Sequence, residues 1–254
     1  MDLARKIAVP VAAVLVFLGL WEFLVWVNGW PNYKMASPSD LPPAYARYWG
    51  LFLTMGWQTL WRTVLGLLLA VIFGTFLGMV MGFSRLARDA LYPLLVGFNA
   101  VPKATLVPVI ALLFIGQHDF NTVLMAFLIS FFPIAVSVGI GLSTLEPEYR
   151  DILRSLGASR FTIFQKIALP KTLPEFFGAL KVSVTLAFIG TNLVEIVSPH
   201  GRGLGALFKS GETNGDYPLM FAVLIALAFL GILLYYAVVA LERIFAGWAE
   251  RPQG

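Results

Sequence analysis

Apolar positions in this chain fall in long uncharged blocks, not in the short alternating or three-four patterns of a protein bathed in water. A helix needs about 20 apolar residues to cross a hydrocarbon core about 30 Å thick. About six blocks reach that length: 7–27, 60–83, 91–115, 122–142, one within 176–197, and 219–241. Each predicts a membrane-spanning helix. Block 7–27 follows Arg5 and Lys6, as a signal peptide would. It carries Trp21, Glu22, Phe23, Trp26 and Trp30 where a small-residue cleavage site would stand, so it reads as a retained helix with an interfacial girdle. In the second block Arg62 lies close enough to the entrance, beside Trp57 and Trp61, to snorkel. The third is interrupted by Pro102, Lys103 and Pro108. Between the blocks lie three longer polar segments, at about 28–56, 143–172 and 198–218, all read as loops.

Composition agrees with lipid as the solvent. Of 254 residues 59% are hydrophobic and 13% charged, against roughly 45–50% and about 25% in an ordinary soluble domain. The absence of cysteine removes disulfides, thiolate metal sites and cysteine nucleophiles, and two histidines, His118 and His200, leave little for a metal. The net charge of +4 does not form one basic stripe for nucleic acid; it reports orientation. Arg5, Lys6, Arg85, Arg88, Arg150, Arg154, Arg160, Lys166, Lys171, Arg243 and Arg251 fall on one side, and only Lys34, Arg47, Arg202 and Lys209 on the other. Both termini and the 143–172 loop are therefore expected in the cytoplasm. The whole chain, 1–254, is expected to be one all-α, polytopic helical bundle.

Within the 143–172 loop, Tyr149, Ile152, Leu153 and Leu156 stand at i, i+3, i+4 and i+7 and give a short helix one apolar face. Glu146, Glu148 and Asp151 suit its first turn, Arg154 suits its last, and Gly157 provides a left-handed stop. A second helix is expected from the N-cap Ser159, with Phe161, Phe164, Ile167 and Ala168 on one side, ending at Pro170. A helix of about ten residues is marginal alone in water. It must lie on its own membrane domain, on lipid headgroups, or in a soluble partner, and the residues alone leave these open.

The run from Glu148 through Tyr149, Arg150, Ile152, Leu153, Leu156, Gly157 and Ala158 to Leu169-Pro170 resembles the cytoplasmic EAA signature of bacterial ABC importer permeases. Tyr149 and Arg150 stand where that family usually has alanines; the Gly157 and Leu169-Pro170 anchors remain. Pro102-Lys103-Ala-Thr-Leu-Val-Pro108 is similar to the third-helix segment of the branch that handles nitrate, sulfonates, taurine and thiamine precursors. Glu195 followed by Gly201-Arg-Gly203-Leu-Gly205 is similar to the end of that branch's fifth helix. The resemblance implies a type I importer fold and a permease homodimer in the bacterial cytoplasmic (inner) membrane. Two cytoplasmic ATPase subunits and a periplasmic solute-binding protein would complete the transporter. Residues 148–158 would be the coupling helix. The chain itself would be no enzyme and need no cofactor, ATP and magnesium being bound by the partner; it carries no phosphate loop of its own. The solute would be small and anionic or polar.

Several single residues keep two readings. Lys103 would cost roughly 2.5–3.5 kcal/mol facing lipid, so it lines a path with Pro102 and Pro108 or pairs structurally. Lys181 either sits within the fifth span or reaches the interface. Glu195 is a gate or solute contact, or a hydrogen-bonding anchor for the glycine-rich segment after it. Gly66, Ala70, Gly74, Gly78 and Gly82 mark close helix packing, within the subunit in preference to across a dimer seam, with a drift of about 40° per step. The two histidines read as plain loop residues. An ion-gradient-driven secondary transporter is the alternative from another class, and it should show paired broken helices where only one break is found. An intramembrane enzyme would need a reactive set inside the spans, which the sequence does not offer.

Overall fold

The computed structural model describes residues 3–143, 155, 157, 159, 162, 164–198 and 201–248. Every regular element among them is helical: α1 (Leu3–Asn28), α2 (Leu41–Phe83), α3 (Arg85–Ala100), α4 (Lys103–Leu113), α5 (His118–Ser143), α6 (Leu169–Val197), α7 (Leu204–Asn214) and α8 (Tyr217–Phe245). Among the described residues five helices are long and apolar enough to cross a membrane, and the pair α3–α4, bent by 90° at its break, makes a sixth if counted as one span. The six expected blocks are therefore present, the third as a broken helix. Pro102 sits at the break as the N-cap of α4, whereas Pro108 lies inside α4 and does not interrupt it.

The center of the bundle is α2 against α5, with α6 packed on α5 and touching α2 as well. The glycine row explains the approach. A Cβ added at Gly74 would stand 2.8 Å from the Phe131 carbonyl oxygen, and one at Gly78 or Gly82 would stand 2.6 Å from the Cβ of Val138 or Leu142. The row therefore packs within the subunit. It also stays on one neighbor along its length, against the expected drift. Residues four apart form a slanting ridge, and α5 answers with its own row of Ala126, Ile134, Val138 and Leu142. Around this seam Met81, Phe131, Ile134, Phe177, Leu180, Val184 and Leu234 form one buried cluster. A second cluster, with Trp21, Phe52, Leu204, Leu207, Leu219 and Val223, lies where α7 caps the bundle. Trp21 of α1 packs on Phe221 of α8 with ring centroids 6.0 Å apart, while most of α1 is exposed.

Three expectations need correction. The 28–56 segment is helical from Leu41, so α2 has 43 residues, with a kink at Tyr48. At 1.5 Å per residue it is about 65 Å long, twice the hydrocarbon thickness. Pro42 and Pro43 fall in the first turn, where a backbone N–H has no helical acceptor anyway. Tyr45 and Tyr48 hold this extension by donating to the Ala222 carbonyl and to Asp216, each at 2.7 Å. The 198–218 segment contains α7, whose Leu204, Leu207 and Gly211 are buried. Pro170 does not end a helix either. It lies in the first turn of α6, which follows directly from a wide turn, Phe164–Ala168.

Candidate functional site

Two polar centers stand out in this apolar bundle, and each is built around one cation. The first is the break between α3 and α4. Phe98, near the end of α3, packs on Phe131 halfway along α5, with centroids 5.7 Å apart. The break thus lies at mid-depth of a spanning helix. Ending α3 there leaves the carbonyls of its last turn without helical partners. The Lys103 ammonium donates to Phe98 O of that turn, which the Val101 amide also reaches, and at 3.1 Å to the carbonyl of the C-cap Val101, and it stands 4.5 Å above the Phe98 ring. An ammonium has three hydrogens, so one remains unspent. No carboxylate among the described residues pairs with it, and its side chain is only half-buried. Pro102 and Pro108 are exposed beside it.

The second center lies at the α7 end. Arg62 was expected to snorkel to an interface; instead it is 1% exposed and held between two carboxylates. It bonds Asp119 at the start of α5 at 2.5 Å and Glu195 on α6 at 3.3 Å, and it also donates to the Arg202 carbonyl. Snorkeling lost because the fold supplies counter-charges beside the helix, Asp119 and Glu195, so the guanidinium is satisfied where it stands. Glu195, 0% exposed, accepts from Thr59 Oγ1 at 2.8 Å and from the Gly205 amide at 3.0 Å. Thr59 Oγ1 in turn accepts from the Leu204 amide at 2.8 Å, and Thr63 bonds Thr191 at 3.0 Å. A polar face of α2, Thr59-Arg62-Thr63, is therefore zipped to Thr191 and Glu195 of α6. Gly203 enters α7 with φ of 124°, and a Cβ there would run into the Glu195 carboxylate. Glycine is required on both counts. In this arrangement the Glu195 carboxylate is bonded to Thr59, Arg62 and the Gly205 amide of its own chain.

Lys181, in the middle of α6, is paired with Glu242 of α8 at 2.9 Å. His118 begins α5 and accepts from the Arg202 amide at 3.1 Å; His200 lies outside the described residues. So do Glu148, Tyr149, Arg150, Ile152, Leu153, Leu156 and Ala158. Of the elbow, Gly157 is described with φ of 80°, as a left-handed stop requires, with open space where a Cβ would be. Ser159 Oγ accepts from the Thr162 amide at 3.1 Å, as an N-cap does. The structure does not bring Lys103 and Glu195 into one site. What sequence reasoning missed is Asp119, Thr59, Thr63 and Glu242. An arginine and a lysine inside apolar blocks were the available signal, since each had to find a carboxylate.

Comparison with known proteins gives concordant findings. The family model described as "Binding-protein-dependent transport system inner membrane component" matches residues 70–248. The formylaminopyrimidine transport permease protein ThiX of Halalkalibacterium halodurans is 31% identical, covering 95% of this chain and 96% of that one. The taurine transport system permease protein TauC of Escherichia coli is 27% identical, covering 99% of this chain and 93% of that one. Among solved structures, the inward-facing MetNI methionine ABC transporter matches with a TM-score of 0.62. The match has 20% identity and covers 79% of this chain and 98% of that chain, a likeness of fold.

Proposed function

The chain belongs to the family of binding-protein-dependent transport system inner membrane components, and from that premise we propose how its parts divide the work of import. It is a multi-pass inner-membrane permease of an ABC importer for small solutes, and in such transporters ATP is bound and hydrolyzed by a separate protein. Family membership removes the alternative of a transporter driven by an ion gradient.

The permease works as a homodimer, with two ATPase subunits on the cytoplasmic side and the solute-binding protein on the other. Both termini and residues 143–172 face the cytoplasm, and the α7 end faces the binding protein. The whole chain, 1–254, acts as one permease domain. Residues 148–158, an EAA-like elbow led by Glu148 and stopped at Gly157, seat in the ATPase. Support for that assignment comes from Gly157, whose left-handed backbone suits the stop between two helices, and from the short turn joining 164–168 to α6 without a break. Closure of two ATPases around ATP would move the elbows, α6 would carry the motion into the bundle, and the cavity would change its open side.

The solute path runs past the α3–α4 break. The observation that carries this is the Lys103 ammonium, at mid-depth, half-exposed and without a carboxylate partner among the described residues. The N-terminus of α4, whose amides point into the same break, adds its positive end. Together with Pro102 and Pro108 this is a place for an anionic or polar group. Glu195 holds the α6–α7 segment in place and does not line the path. The coupling half of the proposal is tested by Gly157→Leu, which should abolish co-purification with the ATPase and solute-stimulated ATP hydrolysis. If the complex and its coupled hydrolysis persist in that variant, the elbow is not the docking element.

A further inference from the structure

Helix α3 is held to the bundle by few side chains. Among its described residues Leu95 alone is buried, and Phe98, half-buried, packs on Phe131 of α5. Phe131 is fixed in turn. A Cβ on Gly74 of α2 would stand 2.8 Å from the Phe131 carbonyl oxygen, so backbone meets backbone there. The residue is 5% exposed, and its ring also meets those of Phe73 on α2 and Phe127 on α5, with centroids 5.7 Å and 5.5 Å away. All three ring pairs fall within the roughly 4.5–7 Å at which aromatic rings attract. A row of rings therefore runs from α2 through α5 to the last turn of α3.

What this row delivers is the seat of the Lys103 ammonium. Two of the groups around it, the Phe98 carbonyl and the Phe98 ring at 4.5 Å, belong to one residue, and the Val101 carbonyl at 3.1 Å follows in the same stretch of backbone. Where Phe98 is placed, the ammonium follows. The chemistry of the seat matters as much as its position. A ring face attracts a cation through its quadrupole but carries no net charge. It holds the ammonium without neutralizing it. A carboxylate in the same place, as Asp119 and Glu195 stand to Arg62, would cancel the charge that an anionic group has to find. An aliphatic side chain would fill the space on Phe131 and offer the cation nothing.

We propose that Phe98 is the positioning residue of the break: its ring, fixed by Phe131, holds the Lys103 ammonium in place with its charge intact for an anionic group of the solute. The ring acts through the ammonium and takes no part in the contact with the anion. The proposal rests on the reading above that the solute path runs past the α3–α4 break.

The test uses the purified permease–ATPase complex in nanodiscs, with Phe98 replaced by 4-fluorophenylalanine and read by fluorine NMR. Methanesulfonate is the probe, and dimethyl sulfone its uncharged control. One fluorine adds little bulk, so the unfolding midpoint and the hold on the ATPase should not change. The resonance should move in Lys103→Met, which keeps the length of the side chain and removes its charge. Lys103→Ala serves if Lys103→Met does not assemble. With Lys103 in place the resonance should also shift saturably with methanesulfonate, and not with dimethyl sulfone. Three fluorines, as 3,4,5-trifluorophenylalanine, drain the ring face of its negative potential. They should weaken methanesulfonate about five-fold, the worth of one cation–π contact. A resonance indifferent to the loss of the Lys103 charge, or an affinity unchanged or raised by the added fluorines, means that the ring only packs and overturns the proposal. A resonance that senses that charge but never methanesulfonate overturns instead the path reading on which the proposal rests.

Discussion

Arg62 and Lys103 are both cations inside apolar blocks, and the protein treats them in opposite ways. Arg62 is withdrawn from all solvent and neutralized by Asp119 and Glu195, so that α2, α5, α6 and the entry to α7 meet on one side chain. Lys103 has only two backbone carbonyls and an aromatic face, keeps a hydrogen unspent, and remains half-exposed at a right-angled break. A charge that is fully paired contributes to one packing arrangement. A charge that is left incomplete, at a depth where incompleteness is costly, is available to something that passes. Balance of charge, more than burial, separates the group that holds the bundle from the group proposed to meet the solute.

The largest effect should come from breaking the balanced center. Arg62→Leu leaves Glu195 buried without its cation, and removing one partner of a buried pair costs about 3–5 kcal/mol. The thermal unfolding midpoint in detergent should drop sharply, or the protein should fail to purify in monodisperse form. An unchanged midpoint would mean that the cluster does not hold the fold. Lys103→Ala should do the reverse. Stability should fall by about 1 kcal/mol or less, the worth of one group at a helix C-terminus, while uptake falls about ten-fold or more for loss of a charged hydrogen bond. Normal uptake kinetics with assembly intact would remove Lys103 from the path. Asp119→Asn should matter least, since the Asp119 side chain is 57% exposed. Exposed partners contribute about 1 kcal/mol or less, which the same unfolding assay would register as a small shift.

How much of this was legible beforehand follows from what each feature depends on. The spans were readable because a lipid solvent forces every crossing to be one long apolar helix, and Pro102 announced the broken one. The glycine row could be read as close packing for the same local reason. The extension of α2 was hidden because residues 41–56 are fewer than the about 20 apolar residues that mark a crossing. Helix α7 was hidden by its glycines, although Leu204, Leu207 and Gly211 stand at helical spacing on its buried face. The Arg62 center could not be read locally at all. Its carboxylates are 57 and 133 residues away, and only the fold decides which distant side chains meet. Lys103 could be read as a cation inside an apolar block, but its use of backbone carbonyls depends on the 90° bend.

The contrast between the two cations is tested most directly by moving the charge on and off Lys103 without rebuilding its surroundings. Because the chain has no cysteine, Lys103→Cys gives each permease chain of the reconstituted transporter one thiol, at the break, to be combined with cysteine-free partner subunits. The account predicts that the variant is assembled but slow in uptake. Its thiol should react with water-soluble thiosulfonates during turnover. An aminoethyl adduct, which returns the positive charge, should restore much of the uptake, and a sulfonatoethyl adduct should not. A thiol that never reacts, or uptake indifferent to the charge of the adduct, would contradict it.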